Sequence, residues 1–314
     1  MPAILEVHDL VKKYGDFTAV KGITFDIQEG EIFSLLGPNG AGKTTTISVL
    51  STLYAPTSGD ALIGGHSVSK EAMTVRHLIG VVPQELALYD DLTARENLSF
   101  WGQMYNLSGK TLKTRIDEVL EQIGLTEKAN QRIKTYSGGM KRRVNIGVGL
   151  LHQPRLLFMD EPTVGIDPQS RRAILDSVKE LNRQGTTVLY TTHYMEEAQE
   201  LSNRVGIIDH GELIALGTQA ELTRQIGVNE ALVLHVAEGD DPAPLAVAVR
   251  AVPGVLKANV TDHQITILAL EAEEILAPVI TVANEIGLKL RSVDIQEPNL
   301  EAVFLQLTGR ALRD

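Results

Sequence analysis

Apolar and polar residues alternate along Leu5-Glu6-Val7-His8-Asp9-Leu10-Val11 and Ile23-Thr24-Phe25-Asp26-Ile27, and Asp60-Ala61-Leu62-Ile63 follows the turn-forming run Pro56-Thr57-Ser58-Gly59. A period of two marks strands with one wet face, so these segments predict a small, largely antiparallel sheet. Other segments are apolar throughout: Ile32 to Leu36, Gly80-Val81-Val82, Leu156 to Met159 and Thr187 to Thr192. Such runs predict strands buried on both faces. From Asp91 to His152 the period lengthens. Leu92, Leu98, Leu107, Ile116, Leu120 and Ile123 recur among Glu, Lys and Arg, broken at Ser108-Gly109 and Gly124, and this predicts a helical insert over about 91–152. Another helix is predicted from Gln169 to Arg183.

After Gly211 the pattern changes. Leu232 to Val236, Val255 to Val260, Ile265 to Leu270 and Leu288 to Ile295 read as strands, and Pro242 to Ala251 and Glu271 to Ile286 as helices, the second containing Pro278. A β-α-β-β-α-β plait is the simplest arrangement. The end of the chain, from Pro298-Asn299-Leu300 to Leu307, sets Leu300, Val303, Phe304 and Leu307 on one helix face. The expected organisation is an α/β domain over 1–226, with the antiparallel subdomain and the helical insert, and a small α+β, ferredoxin-like domain over 227–314.

The length of 314 residues suits two domains, and 43% hydrophobic residues is ample for their cores. No apolar run approaches the roughly 18 residues that cross a bilayer, and Met1-Pro2-Ala3-Ile4-Leu5-Glu6 lacks a basic region followed by an apolar one, so a cytoplasmic protein is expected. With no cysteine there are no disulfides or thiolate metal sites. A net charge of −11 argues against a general nucleic-acid surface, which needs Lys and Arg to neutralise phosphates.

The chemistry begins at Gly37-Pro38-Asn39-Gly40-Ala41-Gly42-Lys43-Thr44, a Gly-x4-Gly-Lys-Thr loop between an apolar strand and a helix entered at Thr45. Its glycines let the backbone aim N–H groups inward, and the helix start adds unpaired donors and about half a positive charge. This is a cradle for the phosphates of a nucleotide. Lys43 reaches the β- and γ-phosphates and the Thr44 hydroxyl ligates Mg²⁺. Tyr14, beside Gly15 on an expected loop, offers a stacking face for adenine. Gln84 follows a buried strand and presents its amide to Mg²⁺ or to the attacking water. Asp160-Glu161 closes another: neighbouring strand residues face opposite ways, so Asp160 suits the metal and Glu161 the water that attacks the γ-phosphate. His193 ends a third strand, at the edge where α/β sheets bind ligands, and is expected to contact the γ-phosphate.

Ser137-Gly138-Gly139 opens a helix with Ser137 placed as N-cap. Two glycines in a first turn cost stability unless something approaches the backbone closely. Locally, a second anion site and a plain capped helix with a solvated basic first turn both fit.

Tyr14, the loop Gly37 to Thr44, Gln84, Ser137-Gly138-Gly139, Asp160-Glu161, Asp167 and His193, in that order, resemble the ATPase subunit of ABC transporters over about residues 3–220. The resemblance implies a head-to-tail dimer, or a paired ATPase subunit, in which ATP lies between one subunit's loop and the other's Ser137-Gly138-Gly139, with Asp167 part of the nucleotide site. It implies also an integral membrane permease as partner, with this chain on the inner face of the cell membrane. Tyr136 and Met140 stand where the commonest pattern has Leu and Gln, and Val164-Gly165-Ile166 where it has Ser-Ala-Leu. These departures look like the branch serving bacterial drug, antibiotic, lipid or polysaccharide exporters. Non-transport members acting on ribosomes usually carry two cassettes in one chain, and DNA-repair members a long heptad coil, absent between residues 45 and 136. An importer subunit differs only in likeness of the tail.

Overall fold

The computed structural model describes residues 2–225, 230–237, 240–261, 263–269, 271–296 and 300–308, in two compact units, one ending at Gln219 and the other beginning at Ala220. The expected boundary at Gly227, strand end at Leu270 and helix start at Pro298-Asn299 lie outside the described residues.

In the first unit, strands β1 (Ala3–Tyr14), β2 (Phe17–Gln28), β4 (Ser58–Ile63) and β5 (His66–Ser67) form an antiparallel sheet in the order β2-β1-β4-β5. β1 and β2 run longer than the alternation suggests, because register shifts after Ala3, Val7, Leu10 and Lys12 interrupt the period of two.

The second sheet takes β3 (Ile32–Leu36), β6 (Ile79–Val82), β7 (Leu156–Asp160), β8 (Thr187–Thr192), β9 (Arg204–Asp209) and β10 (Glu212–Gly217), in the order β10-β9-β3-β8-β7-β6. All neighbours are parallel except β9 and β10. Every residue of β3, β7 and β8 is buried, because each face meets its own core. Leu157, Met159, Val188 and Tyr190 join one cluster; Leu156, Phe158, Leu189 and Phe33 join the other, where Phe33 stacks on Phe25 of the antiparallel sheet at 5.2 Å. That two-sided burial is why these strands read as unbroken apolar runs.

Helix α1 (Lys43–Leu50) follows β3, and the seven-residue α2 (Ala72–Leu78) precedes β6. The helical region is α3 (Ala94–Met104), α4 (Gly109–Gln122) and α5 (Gly138–Leu150), packed on the first cluster through Leu98, Ile116, Leu120 and Val144. It begins at Ala94 because Thr93 and Glu96 close a reciprocal capping box there. Helices α6 (Pro168–Arg183) and α7 (Met195–Leu201) complete the first unit, and α8 (Gln219–Gln225) starts at its last residue and runs on into the second.

In the second unit, β11 (Glu230–Val236), α9 (Ala243–Ala248), β12 (Val255–Thr261), β13 (Gln264–Ala269), α10 (Ala272–Ile286) and β14 (Leu290–Gln296) give an antiparallel sheet ordered β12-β13-β11-β14. α10 runs through Pro278 and stops at Gly287 in the left-handed conformation. A last helix, α11, spans Leu300–Thr308. Among the described residues no helix is long and apolar enough to cross a membrane.

Candidate active site

Four parallel strands bring their C-terminal ends to one edge, where Gly37 follows β3, Gln84 lies just beyond β6, Glu161 follows β7 and His193 follows β8. A cleft of about 480 Å³ opens there. Asn39, Gly40, Gly42, Lys43, Thr44 and Thr45 line it, joined by Gln84, Glu161 and His193.

The remaining loop residues work from behind. Ala41 is buried with Leu35 and Ile208. The carbonyls of Gly37 and Pro38 accept from Lys43 Nζ at 2.7 and 3.0 Å, which curls the loop around the ammonium. A Cβ at Gly37 would run into the Ile208 carbonyl oxygen. Gly42, at φ +109°, begins α1, and no side chain caps that helix, so its first-turn N–H groups are available to an anion.

β7 ends at Asp160, and Glu161 adopts the left-handed region at φ +44°, uncommon for a side-chain-bearing residue. This corrects the expectation of two carboxylates facing opposite ways: the chain leaves the strand before alternation applies, and both acids turn to the phosphate loop. The Thr44 hydroxyl donates to Asp160, and Glu161 Oε1 lies 2.9 Å from Lys43 Nζ. Thr191 holds the pair from β8: its hydroxyl donates to Asp160 Oδ1 at 2.7 Å and accepts from Glu161 N at 3.0 Å. Burial raises the Asp160 pKa, against hydrogen bonds from Thr191 and Thr44, while Glu161 adds to the rise and Lys43 opposes it. The imidazole of His193 is 10% exposed, with Nδ1 3.4 Å from Glu161 Oε2 and without a hydrogen-bond partner among the described residues.

A hydroxyl and a carboxylate are hard oxygen donors. That donor set fits Mg²⁺, which is commonly bound by one or two carboxylates with substrate phosphates and waters completing its shell.

Gln84 is exposed on a loop that α5 grips. Arg142, 5% exposed, donates to the carbonyls of Pro83 and Gln84 at 2.9 and 2.8 Å, and Asn145 accepts from Ala87 N at 3.2 Å. Sequence reasoning took the run Lys141-Arg142-Arg143 as a helix's basic first turn and missed this inward guanidinium.

Some expected residues do not line the cleft. Tyr14 ends β1 rather than sitting in a loop, because the hairpin extends to its pairing with Phe17; its ring meets Tyr54 edge-on at 6.1 Å under Lys12. Phe17 is the aromatic in the wall, opposite Tyr14 across the turn. Ser137 and Gly138 are exposed, and Ser137 caps α5 by accepting from Met140 N at 3.3 Å. Gly139 is buried, and a Cβ there would collide with the Ser170 side chain. Asp167 is exposed and caps α6 by accepting from Ser170 N at 2.9 Å, a bond that lowers its pKa.

A glycine-bounded loop feeding an uncapped helix, faced by the paired acids at the end of β7, is the cleft of a phosphate-loop nucleoside triphosphatase. Residues 20–164 match the ABC transporter family. The chain is 51% identical over 315 residues to the linearmycin resistance ATP-binding protein LnrL of Bacillus subtilis (strain 168), covering 99% of this chain and 100% of that one. It is 39% identical over 320 residues to the Nod factor export ATP-binding protein I of Ralstonia nicotianae, covering 99% and 95%. Among solved structures, the dimeric post-hydrolysis cassette MJ0796 bound to ADP and Pi superposes with a TM-score of 0.62 at 29% identity, over 68% of this chain and 98% of that one. The chain belongs to the ATP-binding subunits of the ABC transporter family and is an ATPase.

Proposed function

We propose that this chain is the motor subunit of an exporter, working as a head-to-tail pair on the cytoplasmic face of a membrane permease. One observation carries the reading: the phosphate-facing groups gather in one cleft, while Ser137 and Gly138 lie exposed outside it. A second copy, or a paired ATPase subunit, supplies them, with Asp167 beside them at the interface. That a similar solved cassette is dimeric supports the pairing.

In the closed pair, Lys43 binds the β- and γ-phosphates and the base lies toward the hairpin of Tyr14 and Phe17. Glu161 polarises the attacking water, and His193 and Gln84 meet the γ-phosphate side. Thr44 and Asp160, with Gln84, would hold Mg²⁺, which would neutralise charge on the transferring phosphoryl group. Binding closes the pair and hydrolysis opens it. The unit that begins at Ala220 is read as an accessory domain, and none of its described residues lines the cleft.

Export rests on the relatives' names, one a resistance and one an export protein. The full chain, isolated in detergent from its own membranes, is expected to bring down a multi-span membrane protein that stimulates its ATP hydrolysis, and vesicles holding both to move substrate outward. Recovery of ribosomes or DNA in place of a membrane protein would favour a non-transport ATPase, and inward movement an importer.

A further inference from the structure

Glu197, on α7, is a buried carboxylate to which the hydrolytic scheme gives no task. Its side chain is 2% exposed. It accepts hydroxyl donors from Thr163 at 2.6 Å and from Tyr190 and Thr192 at 2.9 Å, with Arg171 Nε at 3.7 Å. A carboxylate only accepts, and each of these partners can donate to it. Burial and the neighbouring Glu197 charge hold the Tyr190 pKa well above its ordinary value, so the phenol keeps its proton.

The donors come from segments that carry candidate site residues. Thr163 lies two residues past Glu161, Thr192 adjoins His193, and Arg171 is on α6, which Asp167 caps. The Thr192 hydroxyl also accepts from Tyr194 N at 2.9 Å, bracing the turn at His193 from both sides. The Arg171 guanidinium covers the Tyr194 ring at 4.4 Å, and that ring lies 4.2 Å from the His193 imidazole. Because His193 Nδ1 has no hydrogen-bond partner among the described residues, this packing rather than a bond at Nδ1 holds that side of the ring.

We propose that Glu197 is a positioning residue for hydrolysis, tying the segment after Glu161, the turn at His193 and the start of α6 into one unit that presents water-facing and phosphate-facing groups together. This rests on the roles given above to His193 and Glu161.

The test compares ATP hydrolysis by the full chain carrying Glu197→Gln, His193→Ala or both. Glu197→Gln keeps the shape and sets an amide N–H among donors. We expect kcat to fall by up to about 100-fold, the scale for a misplaced reacting group, with KM for ATP unchanged. In the His193→Ala background Glu197→Gln should cost clearly less than it does alone, since the share of its effect that acts through His193 is already lost. Thr192→Val, which removes one donor from the carboxylate, should couple to His193→Ala in the same way, and serves if Glu197→Gln does not fold. Fully additive losses, or a loss confined to KM, would overturn the proposal while leaving the site assignment intact. An unimpaired His193→Ala enzyme would overturn both.

Discussion

Lys43 and Glu161, the lysine assigned to the phosphates and the glutamate assigned to the water, are ion-paired at 2.9 Å with side chains 4% and 6% exposed. Lys43 also holds the carbonyls of Gly37 and Pro38, so one ammonium ties the strand end at β7 to the phosphate loop. Removing one partner of a buried pair strands the other charge, at a cost of about 3 to 5 kcal/mol. Lys43→Ala should therefore lower stability as well as nucleotide binding, which thermal unfolding and equilibrium binding of the purified variant would check.

Glu161→Gln keeps an acceptor for Lys43 and removes the base. Hydrolysis is expected to fall by about 100- to 10,000-fold, with ATP still bound. Single-turnover and binding measurements on the purified chain check this, and undiminished turnover would remove Glu161 from the reaction.

Asp160 gives a pH-dependent expectation. Its pKa is raised in the folded protein, chiefly by burial, so the fold binds that proton more tightly than the unfolded chain does. The carboxylate thus costs stability above its folded pKa, and the cost fades as pH falls toward the ordinary value of 3.8. At neutral pH Asp160→Asn should raise Tm by about 2 to 4 °C for each kcal/mol relieved, with the gain shrinking on acidification. Mg²⁺ with ATP should stabilise the wild-type chain more than the variant. A lower Tm for the variant at neutral pH would contradict this reading of the buried acid.

Much of this site was legible because its signals are local. Gly37 to Thr44, Asp160-Glu161 and His193 each end an apolar run, and parallel strands necessarily send those ends to one edge. What escaped depends on contacts between distant segments. Nothing near Glu161 announces its left-handed backbone, which Thr191 braces from the next strand. Nothing near Arg142 says that it holds the carbonyl of Gln84. Phe17 was passed over for Tyr14 because bulges hide the true length of the hairpin. β9 and β10 went unread, although β9 sits beside β3 in the sheet.

The cleft residues all lie at or before His193, and among the described residues neither core around the parallel sheet draws on a residue beyond Leu216. Residues 1–225 alone should therefore fold and bind Mg-ATP. Equilibrium binding to a folded truncation checks this, and loss of binding there would assign the C-terminal segment a part in the site.

In the proposed pair each site is completed by the second subunit, and complementation between two defective subunits tests this. Gly138 is the place for the second lesion, because a Cβ there meets only Ile166 at an ordinary 3.6 Å, whereas one at Gly139 collides with Ser170. One subunit carries Lys43→Ala and the other Gly138→Asp, both with Glu161→Gln, which blocks turnover and leaves no stranded carboxylate where the lysine has been removed. Retained ATP is then counted in tagged heterodimers and in each homodimer. One tightly held ATP per heterodimer, with little in either homodimer, is the expected result, since one interface joins intact Lys43 to intact Ser137-Gly138-Gly139. Heterodimers that form and hold no more ATP than the homodimers would mean that the double glycine does not complete a partner's site.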